Sequence, residues 1–324
     1  MSKIKYIYFA GFSDYWRITN NDLYHKDDIF VCDGISNHLL DKISRLHNSS
    51  KLNKYIEFPL KSIWFPLYTA SKKFQTKKKQ YAIFAEANNL SFSGKYLRYL
   101  RKKYPYLVLI FNFSNPCGED NLLRLRKVEQ YYDHIITFNK ADSEQYGYEL
   151  LPINGYSHMD VPDVAIPESD VFFIGKDKGR LPILLEIHDR LTELGLRGDF
   201  WVVNVNESDI VPREGIVYNQ RMSYMEVLQR VNKTKCVLEL LEGNNDYASL
   251  RTTEALTYYK KLITMSPCIQ NSPHYSPSQM LYIQSASEIT KEFFESPIQN
   301  HYDIADFSPI KGLVEIEKLE RTKP

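Results

Sequence analysis

The stretch Cys236–Thr264, CVLELLEGNNDYASLRTTEALTYYKKLIT, decides how the rest of the chain is read. It opens on a short apolar run, Val237, Leu238, Leu240 and Leu241, which reads as a buried strand. A polar loop from Glu242 to Ser249 follows, rich in Asn, Asp and Gly. Thr252–Lys261 carries helix signals, and Leu262–Met265 is a second short apolar run. Strand, polar loop, helix, strand is the grammar of a parallel α/β sheet. Ligands of such sheets bind outside the carboxyl ends of the strands. The loop delivers Arg251, Thr252, Thr253 and Glu254 to a helix N-terminus, a place suited to an anion and a sugar hydroxyl.

The same grammar extends backwards. Val171–Gly175 reads as a strand, and a helix runs from Arg180 to about Leu194, with Pro182 in its first turn. Leu181, Leu184, Leu185, His188, Leu191 and Leu194 share its apolar face, so His188 reads as a packed core histidine. Asp199–Val205 and Gly215–Tyr218 are further strands, and Ser223–Glu226 has capping-box spacing at a helix start. In the first half, Ile4–Ala10, Tyr81–Glu86, Leu107–Phe111 and His134–Phe138 are strands, with weaker candidates at Asp28–Val31 and Tyr55–Pro59. Helices are expected at Asn37–Leu46, Gly94–Tyr104 and Leu122–Tyr132. Alternating strands and helices predict parallel sheets covered on both faces.

With 324 residues, the chain calls for two domains of about 150 residues each. The segment between Asn154 and Asp170, with Pro162 and Pro167, is the best linker. The expected division is residues 1–157, a linker 158–169, a second domain 170–308, and a tail 309–324 that packs back on the first domain. A net charge of +1 favours neither nucleic acid nor an acidic partner. Cys32, Cys117, Cys236 and Cys268 form no CxxC pair and no zinc pattern, which reads as core packing in a reducing compartment. Met1-Ser2-Lys3 runs straight into the first strand with no signal peptide, and no apolar run approaches the roughly 18–20 residues of a spanning helix. A cytoplasmic protein is expected. Residues 62–80 mix Trp64, Phe65, Leu67, Tyr68 and Phe74 with Lys72, Lys73, Lys77, Lys78 and Lys79, a composition that suits the surface of an anionic membrane, on the inner face of the cell membrane. A core segment with a solvated lysine end is the alternative.

Two loops carry the chemistry. Gly175-Lys176-Asp177-Lys178-Gly179-Arg180 sets three cations and two glycines between a strand and a helix N-terminus, where a diphosphate fits the charge and the free amides. It is neither GxxxxGK[ST] nor GxGxxG. Arg251, Thr252 and Thr253 can meet the same phosphates, and a carboxylate at Glu254 can accept both hydroxyls of a ribose. Asp246 precedes Glu254 with seven residues between them, a spacing that can put one carboxylate on a transferred sugar and the other on the ribose. Asp14, just after the first strand, reads either as a group at a cleft mouth or as a helix cap.

VFFIGKDKGRLPILLEI, LRTTEALTYYKKLIT and YDHIITFNKADSEQYGYELLPINGY resemble segments of GT-B glycosyltransferases of bacterial capsule and lipopolysaccharide synthesis. The resemblance implies two Rossmann-like domains facing across a cleft, with a nucleotide-sugar donor held by the second. Retaining members of the fold use a Glu-x7-Glu pair; here the first member would be Asp246, so retention and inversion both stand. By resemblance, Lys176, Lys178, Arg180 and Arg251 hold the diphosphate, and the base lies near Tyr218 and Arg221. Asn245, Asp246 and Ser249 set the sugar preference. No metal or other cofactor is expected, since the leaving group is met by protein cations. The first domain takes a saccharide acceptor, lipid-linked, and an inverting enzyme needs a catalytic base there, Asp14 first and Glu86 second. A degenerate GT-B module that binds without catalysis, and a UDP-sugar epimerase, are the alternatives.

Overall fold

The structure is a computed structural model that describes residues 4–11, 13–49, 52–53, 58–151, 155–241 and 248–322. The chain divides into two compact units, one of residues 1–153 with 312–324 and one of residues 154–311.

The first unit is built on β1 (Tyr6–Phe9), α1 (Asp14–Thr19), β2 (Ile29–Cys32), α2 (His38–His47), β3 (Gln80–Ala85), α3 (Gly94–Lys103), β4 (Leu107–Asn112), α4 (Glu119–Leu125), β5 (His134–Thr137), α5 (Lys140–Tyr146) and β6 (Glu149–Leu150). Its sheet runs β2-β1-β3-β4-β5-β6, and every pairing is parallel. β3 and β4 are buried along almost their whole length because parallel strands carry helices on both faces. Tyr96 of α3 stands at the centre of the aromatic core, edge-on to Phe9, Phe84 and Tyr68.

Two local expectations change here, and of the two readings of residues 62–80 the core segment fits. Lys61–Leu67 and Thr69–Lys72 form short 3-10 turns, and Trp64, Phe65 and Tyr68 are buried in the core. The Trp64 Nε1–H donates to His47 Nδ1 at 2.7 Å, and Phe65 packs on Tyr96 and Tyr99. The apolar face of α2 is the reverse case: Leu39, Ile43 and Leu46 are exposed. The helix expected over Leu122–Tyr132 ends at Leu125 and resumes as a turn at Glu129–Tyr131. The strand candidate at Tyr55–Pro59 lies mostly outside the described residues.

The second unit contains β7 (Ser169–Lys176), α6 (Leu181–Glu193), β8 (Gly198–Val203), β9 (Ile216–Tyr218), α7 (Tyr224–Lys233), β10 (Thr234–Glu239), α8 (Leu250–Thr257), β11 (Lys261–Thr264), β12 (Met280–Tyr282) and α9 (Lys291–Glu295). α10 (Pro309–Thr322) starts in this unit, and from Gly312 onwards belongs to the first. The second sheet runs β12-β11-β10-β7-β8-β9, again all parallel. From β7 the chain steps to β8 and β9 on one side. It then returns to place β10, β11 and β12 on the other side. The order therefore reverses between β7 and β10, and that is where a parallel sheet opens a crevice at its carboxyl end. No helix among the described residues is long and apolar enough to cross a membrane.

Candidate functional site

The crevice between β7 and β10 holds an open cavity of about 230 Å³. Lys176, Lys178 and Arg180 line it from the loop after β7, and Ser249 and Arg251 line it from the start of α8. Glu239 and Leu240 close it from the end of β10. Two segments about 70 residues apart in sequence thus meet where two helices begin, and helix N-termini add partial positive charge.

The loop after β7 is shaped by its own backbone. Lys178 (φ 50°) and Gly179 (φ 79°) are both left-handed, giving a tight reversal that only the glycine adopts without cost. Lys176 and Lys178 are exposed at its rim. Arg180 does a different job. Its Nε donates to the Asp177 carbonyl at 3.1 Å, and its two Nη groups donate to the carbonyls of Lys176 and Leu240. It therefore stitches the loop to the end of β10 while presenting its charge to the cavity. A side chain at Gly175 would put its Cβ 3.1 Å from the Arg180 Nη2, so the glycine makes room for the guanidinium. Asp177 accepts from the Leu181 amide at 2.8 Å, satisfying the first amide of α6.

On the other wall, Ser249 caps α8 by accepting from the Arg251 amide at 3.1 Å. α8 is buried from Thr252 through Thr257, so Thr252 and Thr253 point into packing and do not line the cavity. Thr252 Oγ1 donates instead to Glu239 Oε1 at 2.8 Å. Glu254 is fully buried in this wall. Its Oε1 pairs with Arg251 Nη1, and its Oε2 accepts from the hydroxyls of Tyr224 at 2.6 Å and Tyr156 at 3.2 Å. Burial, and next the Glu254 charge, push both tyrosine hydroxyls well above the usual phenol range, so they stay protonated and donate. Burial opposes the charge on Arg251, but the adjacent Glu254 outweighs it and the guanidinium is held more firmly protonated.

No family model and no curated protein matches this sequence. Among solved structures, the chain is similar to a putative UDP-N-acetylglucosamine 2-epimerase from Listeria monocytogenes, at TM-score 0.53 and 12% identity, over 99% of this chain and 98% of that one. The fold is GT-B-like. At that identity the likeness speaks for the fold alone. Sucrose-phosphate synthase from Thermosynechococcus elongatus aligns over 98% of this chain and 88% of its own, at TM-score 0.49 and 10% identity. An alpha-glucosyltransferase in complex with UDP-glucose and DNA containing an abasic site aligns over 97% and 92%, at TM-score 0.49 and 13% identity.

In this GT-B-like chain the remaining site residues fall elsewhere. Tyr218, on the edge strand β9, lines a separate open recess of about 430 Å³ with Arg213 and Glu214, and its hydroxyl donates to the Val211 carbonyl at 2.8 Å. Arg221 is exposed in the turn before α7. Asp14 and Glu86 belong to the first unit. Asp14 is exposed in the first turn of α1, which Ser13 caps. Glu86 is buried, and its carboxylate accepts from the amides of Ser114 at 3.1 Å and Asn115 at 3.2 Å, and from the side chains of Asn115 and Asn121. Asn245 and Asp246 lie outside the described residues. Among the described residues no cluster of His, Cys, Asp and Glu could hold a metal ion.

One residue escaped the sequence reading. Glu239, 2% exposed at the end of β10, accepts from the Ser249 amide at 3.1 Å and the hydroxyls of Ser249 at 2.5 Å, Thr252 at 2.8 Å and Thr264 at 2.7 Å. It ties the start of α8 to two strands. The signal was a single acid inside the apolar run Val237–Leu241, because an acid is rarely fully buried without partners.

Proposed function

We propose that the protein is a glycosyltransferase that moves a hexose from a nucleotide-diphosphate sugar, a UDP-sugar by preference, to a saccharide acceptor. One observation carries this reading: Lys176, Lys178, Arg180 and Arg251 converge on a single cavity at the strand-order reversal of a Rossmann-like sheet. Their charges match a diphosphate, and they would stabilise the charge that develops on it as the sugar leaves. Ser249 at the cavity edge is our candidate for contact with the sugar, and Tyr218 and Arg221 for the side of the base. Thermal-shift screening against UDP-, GDP-, CMP- and dTDP-sugars tests this directly. A cognate ligand at 100 times its Kd adds about 2.7 kcal/mol of stability. Stabilisation by none of them would remove the proposal, while stabilisation with epimerised product and no transfer would make the protein an epimerase.

For the base that an inverting reaction needs, we favour Asp14 over Glu86. The Asp14 carboxylate is exposed, whereas both oxygens of Glu86 already accept hydrogen bonds. Asp14→Asn is expected to lower turnover about 100-fold while leaving UDP binding unchanged. Equal turnover in the variant would exclude it.

We also propose that the acceptor is lipid-linked and of the surface-polysaccharide type, met at an anionic membrane. With the aromatics of residues 62–80 buried, support for this shifts to exposed aliphatics: Leu39, Ile43 and Leu46 on α2, and Leu60, Ile63 and Leu67 in and just before the turn at Lys61–Leu67. Lys42 is exposed on the same helix. In co-sedimentation with phosphatidylglycerol-rich vesicles, Leu39→Glu and Leu46→Glu should each weaken binding about tenfold. Unchanged binding would discard the surface.

A further inference from the structure

We infer that Glu254 serves the phosphate end of the ligand by positioning Arg251, and has no contact with the ribose. The inference rests on the nucleotide-diphosphate reading above and assigns a task within that site. Three observations carry it. Glu254 is 0% exposed and does not line the cavity, whereas Arg251, three residues earlier on the same helix, does. Both Glu254 oxygens are already committed: Oε1 to Arg251 Nη1, and Oε2 to Tyr224 at 2.6 Å and Tyr156 at 3.2 Å. The two tyrosines also meet each other, hydroxyl to hydroxyl at 2.8 Å. A ribose could reach the carboxylate only by displacing a buried tyrosine or the guanidinium.

The physical consequence follows from the cost of an unpaired buried charge. An arginine on a short helix has many rotamers. If Arg251 swung away, it would leave the Glu254 carboxylate buried with two neutral donors and no charge partner, which is strongly unfavourable. The pair therefore fixes the guanidinium at the cavity wall before any ligand arrives, which lowers the ordering cost of binding. Tyr156 and Tyr224 take up the second oxygen and stop the carboxylate from turning. Tyr156 is itself held by its backbone: its amide donates to the Phe307 carbonyl at 2.6 Å, and Gly155 lies so close to Pro309 that an added Cβ would come within 2.3 Å of the proline Cα.

Inorganic pyrophosphate has no ribose, so it separates the two roles. Calorimetric titrations would compare wild type, Glu254→Gln and Tyr224→Phe with pyrophosphate, UDP and 2′-deoxy-UDP. Glu254→Gln is expected to bind pyrophosphate and UDP each about tenfold more weakly, while the ratio of UDP to 2′-deoxy-UDP affinity stays that of wild type. Tyr224→Phe keeps the carboxylate and the packing, and should lose about threefold on pyrophosphate; it carries the test if Glu254→Gln does not fold. Unchanged pyrophosphate affinity in both variants, with the ribose preference lost in Glu254→Gln, would overturn the inference while leaving the diphosphate site standing. Failure of the wild type to bind either pyrophosphate or UDP would overturn both.

Discussion

Glu239→Ala is expected to destabilise the protein by about 4 kcal/mol in urea unfolding. The carboxylate receives four hydrogen bonds, from Ser249 twice and from Thr252 and Thr264 once each. A net contribution of roughly 1.5–3 kcal/mol is typical for one hydrogen bond to a charged group. The simple sum overshoots, because Glu239 borders the cavity and water can replace part of what is lost. Glu239→Gln keeps the shape but replaces one acceptor oxygen with a donor, so about 2 kcal/mol should go. The alanine variant also frees Ser249 and Thr252, the cap and first turn of α8, and should weaken diphosphate binding through a displaced Arg251. A loss below about 1 kcal/mol in Glu239→Ala would show that the network does not hold the two strands and the helix together.

The largest functional effect is expected from Lys176→Gln combined with Lys178→Gln: a fall in UDP affinity of roughly 300-fold at low salt. Two charge-assisted contacts at about 1.5–2 kcal/mol each give that factor. Both lysines are exposed, so the unfolding midpoint should not move. Raising the ionic strength should weaken the wild type more steeply than the double variant, since screening acts on the charges that were removed. An affinity within threefold of wild type would take the rim of the loop out of the site.

How much of this was legible beforehand differs from element to element. The central strands were, because a parallel strand buried on both faces reads as a continuous apolar run: Leu107–Phe111 and Val171–Gly175 appear as β4 and the body of β7. The two-residue β6 was not, being too short to carry a period, and β12 followed a proline-broken loop with no strand signal before it. Lys176, Lys178, Arg180 and Arg251 could be paired in advance because each falls between a strand and a helix start, and a parallel sheet brings those ends together. The inner face of α8 could not be read. Thr252, Thr253 and Glu254 are polar, and sequence does not reveal that a polar set is buried against other polar groups. α2 gives the opposite lesson. Its spacing identified an apolar face correctly, but periodicity does not say what covers it, and Leu39, Ile43 and Leu46 face outwards. For residues 62–80 composition left two readings open, a bilayer surface and a core segment with a solvated lysine end; the rings pack against Tyr96 and His47, as in the second.

The most direct test is a calorimetric titration of the full chain with UDP at low ionic strength, repeated with inorganic pyrophosphate already present. The account predicts saturable UDP binding that pyrophosphate competes away, because both occupy the Lys176–Arg251 cavity. Absence of UDP binding, or UDP binding indifferent to pyrophosphate, would contradict it.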